Sequence, residues 1–279
     1  MDFSKLDDKR VLITGSAGGI GLALARAFHS GGARVFLTDV AGEKLARIAP
    51  QIGAVAAACD VTQPDAIAEI VDRAWREIGP IDLLCANAGV VTQGPLLEAR
   101  REELDWIFDV NVWGILNACR PYVRMLRESG REGHILMTGS ETSLSYPAFT
   151  RELPIAAYLM TKHCVLAMAE GLRAELARDR IGVSVLCPGP VPTDLAANSG
   201  SARRNRAADA PPAPAPELSP EMLRSMASLQ RSADEVAATA LAGLRRGLFV
   251  IPTHPHTRGD VAQRHAEIER GLDALGSLA

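Results

Sequence analysis

Residues 158 to 162 read YLMTK, a tyrosine and a lysine four positions apart inside the run LPIAAYLMTKHCVLAMAEGLRAEL. In a helix, residues i and i+4 lie one turn apart, so Tyr158 and Lys162 share one face. A cation beside a phenol favours phenolate, which lets the tyrosine exchange protons below its ordinary pKa of roughly 10. Surface pairs use the same spacing, so the motif gains meaning only from the rest of the chain. TGSAGGIG, residues 14–21, follows a short apolar run and opens into the helical pattern IGLALARAF. Gly15, Gly19 and Gly21 let the backbone turn tightly and approach a pyrophosphate, while the helix offers its first amides and its positive dipole end. The spacing is GxxxGxG rather than GxGxxG, and the strand-to-helix context carries the nucleotide-binding reading. Asp39 closes the run LTD eighteen residues past Gly21. A carboxylate there accepts hydrogen bonds from an adenosine ribose and repels the extra phosphate of NADP. Neither Val40, Ala41 and Gly42 nor Ser16 to Gly18 supplies a compensating cation, which favours NAD.

These residues need a scaffold that sets them side by side. Short apolar runs alternate with helical patterns: RVLITG, a helix near 19–30, ARVFLTD, 41–50, AVAAACD, 64–78, IDLLCANAG, 101–128, HILMTGS, 155–179 and GVSVLCPG. Such alternation predicts an α/β fold, a Rossmann-like doubly wound parallel sheet with helices on both faces. Beyond residue 190 the pattern lapses. Residues 194–232 are irregular and include ADAPPAPAPELSP, the composition of a flexible or extended loop. A helix near 233–246, the short strand LFVI and a charged helix near 257–275 follow. No repeat or second core is visible, so residues 1–279 read as one domain in which 194–232 form a substrate-binding lid.

The assembled pattern resembles the short-chain dehydrogenase/reductase family in its simple, non-extended form, from about residue 10 to 193 and more loosely to 251. TGSAGGIG looks like the family's cofactor loop, with Ser16 and Ile20 among its contacts. CDV, with Asp60 and Val61, resembles the adenine contact. NAG, residues Asn87, Ala88 and Gly89, resembles the motif that stabilises the central sheet. Asn111 in NVWG matches the active-site asparagine, Ser140 in MTGS the catalytic serine, and Tyr158 with Lys162 the catalytic pair. PGPVPT, including Pro188, Gly189, Val191 and Thr193, resembles the segment whose threonine meets the nicotinamide carboxamide. The resemblance implies an NAD-dependent oxidoreductase interconverting a secondary alcohol and a ketone, on an apolar or aromatic small molecule. Tyr158 is then the base, Lys162 lowers its pKa and holds the nicotinamide ribose, Ser140 positions the substrate oxygen, and Asn111 fixes a water linking Lys162 to solvent. A 3-oxoacyl-thioester reductase shares every motif, and a non-catalytic dinucleotide sensor shares the fold.

Composition narrows the partners. The chain is 47% hydrophobic and 23% charged, with a formal charge of -3 and a pI near 6.1, which carries no nucleic-acid or membrane-surface footprint. Cys59, Cys85, Cys119, Cys164 and Cys187 are odd in number and lie in apolar runs, the usage of reduced core thiols in the cytoplasm. The N-terminus, MDFSKLDDKR, lacks the apolar run of a signal peptide. His254 and His256 in THPHT have no acid or thiol near them in sequence, so no metal site is expected. The gap from Ser140 to Tyr158 is long, and its Tyr146 and Phe149 are candidates for a pocket wall. RRNR, residues 203–206, reads as a solvated charge run. Trp106 and Trp113, seven apart, suit either core packing or a subunit interface. The long helices 101–128 and 155–179 pair across a two-fold axis in this family, which implies a homodimer or homotetramer.

Overall fold

β-Branched and apolar runs form seven strands: β1 Arg10–Thr14, β2 Arg34–Asp39, β3 Val55–Ala58, β4 Leu83–Ala86, β5 Gly133–Thr138, β6 Ile181–Cys187 and β7 Val250–Pro252. The computed structural model describes residues 1–147, 150, 152–206 and 219–276. All six strand pairings are parallel, in the order β3-β2-β1-β4-β5-β6-β7. The winding reverses between β1 and β4, so a crevice opens at the carboxyl ends of these strands, where open α/β sheets take their ligands.

Both faces of the sheet are buried because each strand sends alternate side chains to opposite sides. On one face Leu12, Phe36, Leu84 and Ile135 pack under α3 (Pro64–Ile78), α5 (Gly114–Ser129) and α6 (Ala156–Glu175). On the other, Val11, Ile13, Leu37 and Leu136 pack under α1 (Gly19–Ser30), α2 (Gly42–Ile48) and α9 (Ala233–Arg245). Helix starts follow local chemistry. α3 has Pro at its first turn, and Ser232 and Glu235 close a capping box on α9.

Two expectations need correction. The helix expected over 101–128 is broken into α4 (Arg101–Phe108), a π turn (Asp109–Trp113) and α5. A π turn accommodates one extra residue, and apolar periodicity read over a long window does not register so small an insertion. Trp106 is consequently buried beside Val90 and Ile107, whereas Trp113 is 51% exposed. The second correction is the irregular stretch 194–232, which holds α7 (Leu195–Arg206) and α8 (Pro220–Leu229). Residues 207–218, with most of the Pro-Ala run, lie outside the described residues, as do Phe149, Arg151 and the side chains of 203–206. The last helix, α10, runs Thr257–Gly276. Among the described residues no helix is long and apolar enough to cross a membrane.

Candidate active site

The glycine loop sits where β1 meets α1. Gly15 and Gly19 have φ of +65° and +52°, the left-handed region that favours glycine. A Cβ on Gly15 would lie 2.6 Å from Ala88 Cα, one on Gly21 would overlap the Gly15 carbonyl, and one on Gly19 would press on Thr193 at 3.2 Å. The loop is therefore a bare backbone cradle. Gly18 caps α1, and no side chain among the described residues caps its first turn. An anion's phosphate oxygens suit such a helix start. Asp39, at the end of β2, accepts the Ala17 N–H through Oδ2 and the Ala41 N–H through Oδ1, both at 2.9 Å. Its carboxylate thus stands at the rim of the loop. Ser16 is turned inward, donating to the Thr38 carbonyl at 3.1 Å, while Ile20 packs on the α1 face of the core. Asp60 is exposed and accepts the Thr62 N–H, and Val61 is buried against α5.

Asn87 ties three strand ends together. Its amide donates to the Thr14 and Gly15 carbonyls at 3.1 Å each, and its Oδ1 accepts the Thr138 hydroxyl at 3.0 Å. The Thr14 hydroxyl accepts the N–H groups of Asn87 and Ala88. A Cβ on Gly89 would lie 3.4 Å from Asn111 Oδ1 and 3.6 Å from Lys162 Nζ, so this stretch leads into the catalytic set.

Ser140, Tyr158, Lys162 and Asn111 converge at the ends of β4 and β5. Ser140 caps the short turn Glu141–Ser143, its hydroxyl donates to the Pro188 carbonyl at 3.5 Å, and the Tyr158 phenol stands beside it. The Lys162 ammonium donates to the Thr138 carbonyl at 2.8 Å and lies 5.5 Å from the centre of the Tyr158 ring. Burial draws Lys162 down to about 8, which still leaves it protonated at neutral pH. Burial pushes the Tyr158 phenol up to about 12; the Ser140 hydrogen bond opposes this, and the nearby Glu141 adds to it. Asn111 is fully buried in the π turn. Its amide accepts the Val90 N–H at 2.8 Å and donates to the Val90 carbonyl at 2.9 Å and to the Thr161 hydroxyl at 3.0 Å. The Thr161 hydroxyl in turn donates to the Tyr158 carbonyl at 2.7 Å. The Asn111 side chain is thus engaged with protein.

Pro188, Gly189, Val191 and Thr193 run from the end of β6 past the glycine loop. Leu153, Ile155 and Met222 form a separate apolar cluster, with Val91, Tyr158 and Met226 partly buried against it. α8 thus lies beside the phenol. Tyr146, by contrast, is 44% exposed. Three groups escaped the sequence reading. Lys44 lies beside the glycine loop, 3.2 Å from where a Gly18 Cβ would stand, and pairs with Asp194 at 3.9 Å. Thr161 was one residue from a motif lysine and carried no signal of its own. Glu141 lies 2.7 Å from His256, so the histidines of THPHT do have an acid beside them, from a distant part of the chain. No group of three or more metal-ligating side chains occurs among the described residues.

Comparison with known proteins agrees with this geometry. A profile described as short chain dehydrogenase matches residues 9–204. The chain is 39% identical over 197 residues to 1-deoxy-11-beta-hydroxypentalenate dehydrogenase of Streptomyces avermitilis, covering 68% of this chain and 71% of that protein. It is 36% identical over 193 residues to sorbitol dehydrogenase of Cereibacter sphaeroides, covering 67% and 72%. A short-chain dehydrogenase/reductase from Burkholderia phymatum, solved in complex with NAD, superposes with a TM-score of 0.84 over 96% of each chain at 29% identity. The glycine cradle, the juxtaposed Ser140 and Tyr158 and the buried Lys162 therefore stand in a chain that belongs to the short-chain dehydrogenase/reductase family, oxidoreductases that take a nicotinamide dinucleotide.

Proposed function

We propose that this protein is an NAD-dependent dehydrogenase that interconverts a secondary alcohol and a ketone on an apolar or aromatic small molecule. The observation that carries the reading is the convergence of Ser140, the Tyr158 phenol and the buried Lys162 ammonium, which lies 5.5 Å from the centre of the Tyr158 ring and donates to the Thr138 carbonyl at 2.8 Å. Two named relatives, a hydroxypentalenate and a sorbitol dehydrogenase, act on hydroxyl groups and support the reaction class.

The bare loop at Gly15, Gly19 and Gly21 fits a pyrophosphate, and Asp39 fits an adenosine ribose. A nicotinamide dinucleotide held by these residues would supply the hydride acceptor or donor and, when oxidised, a positive ring charge. Ser140 orients the substrate oxygen, and Tyr158 takes the carbinol proton during oxidation or returns it during reduction. Lys162, fixed by the Thr138 carbonyl, is the nearby cation that stabilises phenolate when the proton moves. Asn111 holds Val90 and Thr161 and thereby fixes the helical turn that carries Tyr158 and Lys162. Asp39 at the loop rim favours NAD over NADP through charge repulsion. The apolar wall of Leu153, Ile155, Met222 and Met226 favours an apolar substrate and supports α8 as part of a substrate lid.

We further propose a homodimer or homotetramer built on α5 and α6, supported by the exposed Trp113 at the start of α5 and Met160 on α6. The five free cysteines fit a reducing compartment such as the cytoplasm. The direct test is NADH formation from NAD on a panel of secondary alcohols, sugars and hydroxyacyl thioesters. Turnover of an apolar alcohol supports the reading. Turnover confined to the thioesters replaces it with an acyl-thioester reductase, and NAD binding with no turnover points to a sensor.

A further inference from the structure

Glu141 is the residue after Ser140, and only 3% of it is exposed. Its N–H donates to the Pro188 carbonyl at 2.7 Å, so the chain here is already tied to the segment after β6. Its Oε2 lies 2.7 Å from His256 Nε2 and accepts the Thr257 hydroxyl at 3.3 Å. Gly189 passes between this acid and His254. A Cβ there would stand 2.9 Å from Glu141 Oε2 and 2.7 Å from His254 Cγ. His254 Nδ1 accepts the Gly189 N–H at 3.0 Å, which makes Nε2 the protonated nitrogen, donating to the Pro190 carbonyl at 3.1 Å. Seven residues on from α10's start, the same clamp is extended by Arg264, which donates to the Leu144 carbonyl at 3.0 Å and contacts His163. The C-terminal segment 253–264 therefore grips the Ser140–Leu144 turn and the Pro188–Pro190 segment together.

We propose that Glu141, held by His256 and Thr257, is a positioning residue that fixes Ser140 and the Pro188–Pro190 segment relative to each other. The idea rests on the dehydrogenase reading, since Ser140 is assigned the substrate oxygen and the 188–193 segment the nicotinamide. A buried carboxyl cannot be left unpaired without a large desolvation penalty, so the His256 and Thr257 bonds anchor it and, through it, the turn. Burial pushes Glu141 up to about 8, with Asp260 adding to the rise and the Thr257 hydroxyl opposing it. Burial also lowers His256. Both directions favour a neutral acid beside a neutral imidazole at pH 7. The other ionisable groups facing this site are Tyr158 on α6, Cys187 at the end of β6 and His254, whose ring centre is 5.5 Å from that of His256. Ionisation of Glu141 places a negative charge by Tyr158 and raises the phenol further.

The test compares Glu141→Gln, Glu141→Ala and His256→Ala with the wild type. Three readouts apply: amide hydrogen exchange across 140–144 and 188–192, NADH binding by fluorescence, and the pH profile of alcohol oxidation. Glu141→Ala should speed exchange in both segments and lower kcat by about tenfold or more, the scale of a small misplacement in a catalytic site. His256→Ala should speed exchange in the same two segments. Glu141→Gln keeps the shape and the neutral hydrogen bonds, so it should restore slow exchange and most of the turnover. It cannot ionise, so the rising limb of kcat/KM should move to lower pH by about 0.5–1 unit. Unchanged exchange in Glu141→Ala overturns the proposal, as does a Gln variant that rescues neither exchange nor turnover. If the wild type oxidises no alcohol on the panel, the functional reading fails, and the exchange comparison still decides the positioning role.

Discussion

Replacing Asn111 with alanine isolates the part of the site that the fold supplies. The amide is fully buried and makes three hydrogen bonds, two to the Val90 main chain and one to Thr161. In Asn111→Ala the Val90 N–H and C=O lose their partner in a dry setting, each at roughly 1–3 kcal/mol. The Thr161 hydroxyl keeps its bond to the Tyr158 carbonyl and loses less. The sum is about 2–6 kcal/mol, a large part of the 5–15 kcal/mol that holds a typical domain together. Thr161→Val removes only the third contact and the Tyr158 tie, and should destabilise by about 1–2 kcal/mol. Urea unfolding without cofactor reads both values, independently of turnover. Initial rates then show whether kcat falls in step, as expected if the π turn acts by fixing Tyr158 and Lys162. A loss below about 1 kcal/mol in Asn111→Ala, together with abolished turnover, would refute this account and assign Asn111 a direct part in the chemistry.

Tyr158→Phe should nearly abolish turnover while leaving NADH binding within about threefold, whereas Lys162→Ala should weaken both, and Ser140→Ala should lower kcat alone. Asp39→Ser should narrow the NAD over NADP preference by at least about tenfold in titrations with both cofactors, since a unit charge facing phosphate is removed; equal wild-type affinities would refute the Asp39 assignment. Glu141 carries a raised pKa, so its contribution is complete below its ordinary 4.5 and is lost as pH rises through about 8. Glu141→Gln should accordingly gain about 1–3 kcal/mol over the wild type between pH 5 and pH 9, and a pH-independent difference in melting temperature would contradict the buried neutral acid. Light scattering at micromolar concentration should give a dimer or tetramer, and a monomer would remove the α5 and α6 interface.

What could be read from the sequence alone was local. Strand and helix alternation, the glycine loop ahead of α1, Asp39 at the end of β2 and Tyr158 one turn from Lys162 all rest on backbone geometry spanning at most a few turns, and such geometry is written in residue order. Groups brought together from distant parts of the chain were settled only in three dimensions. The π turn adds one residue beneath Asn111, too little to disturb an apolar pattern yet enough to separate Trp106 from Trp113. Lys44 reaches Gly18 because α2 folds back beside the loop. Glu141 and His256 are 115 residues apart in sequence and meet at 2.7 Å. Burial raises the Tyr158 phenol, and desolvation depends on everything packed around it. Desolvation and long-range pairing are properties of enclosure, and enclosure exists only once the chain has closed on itself.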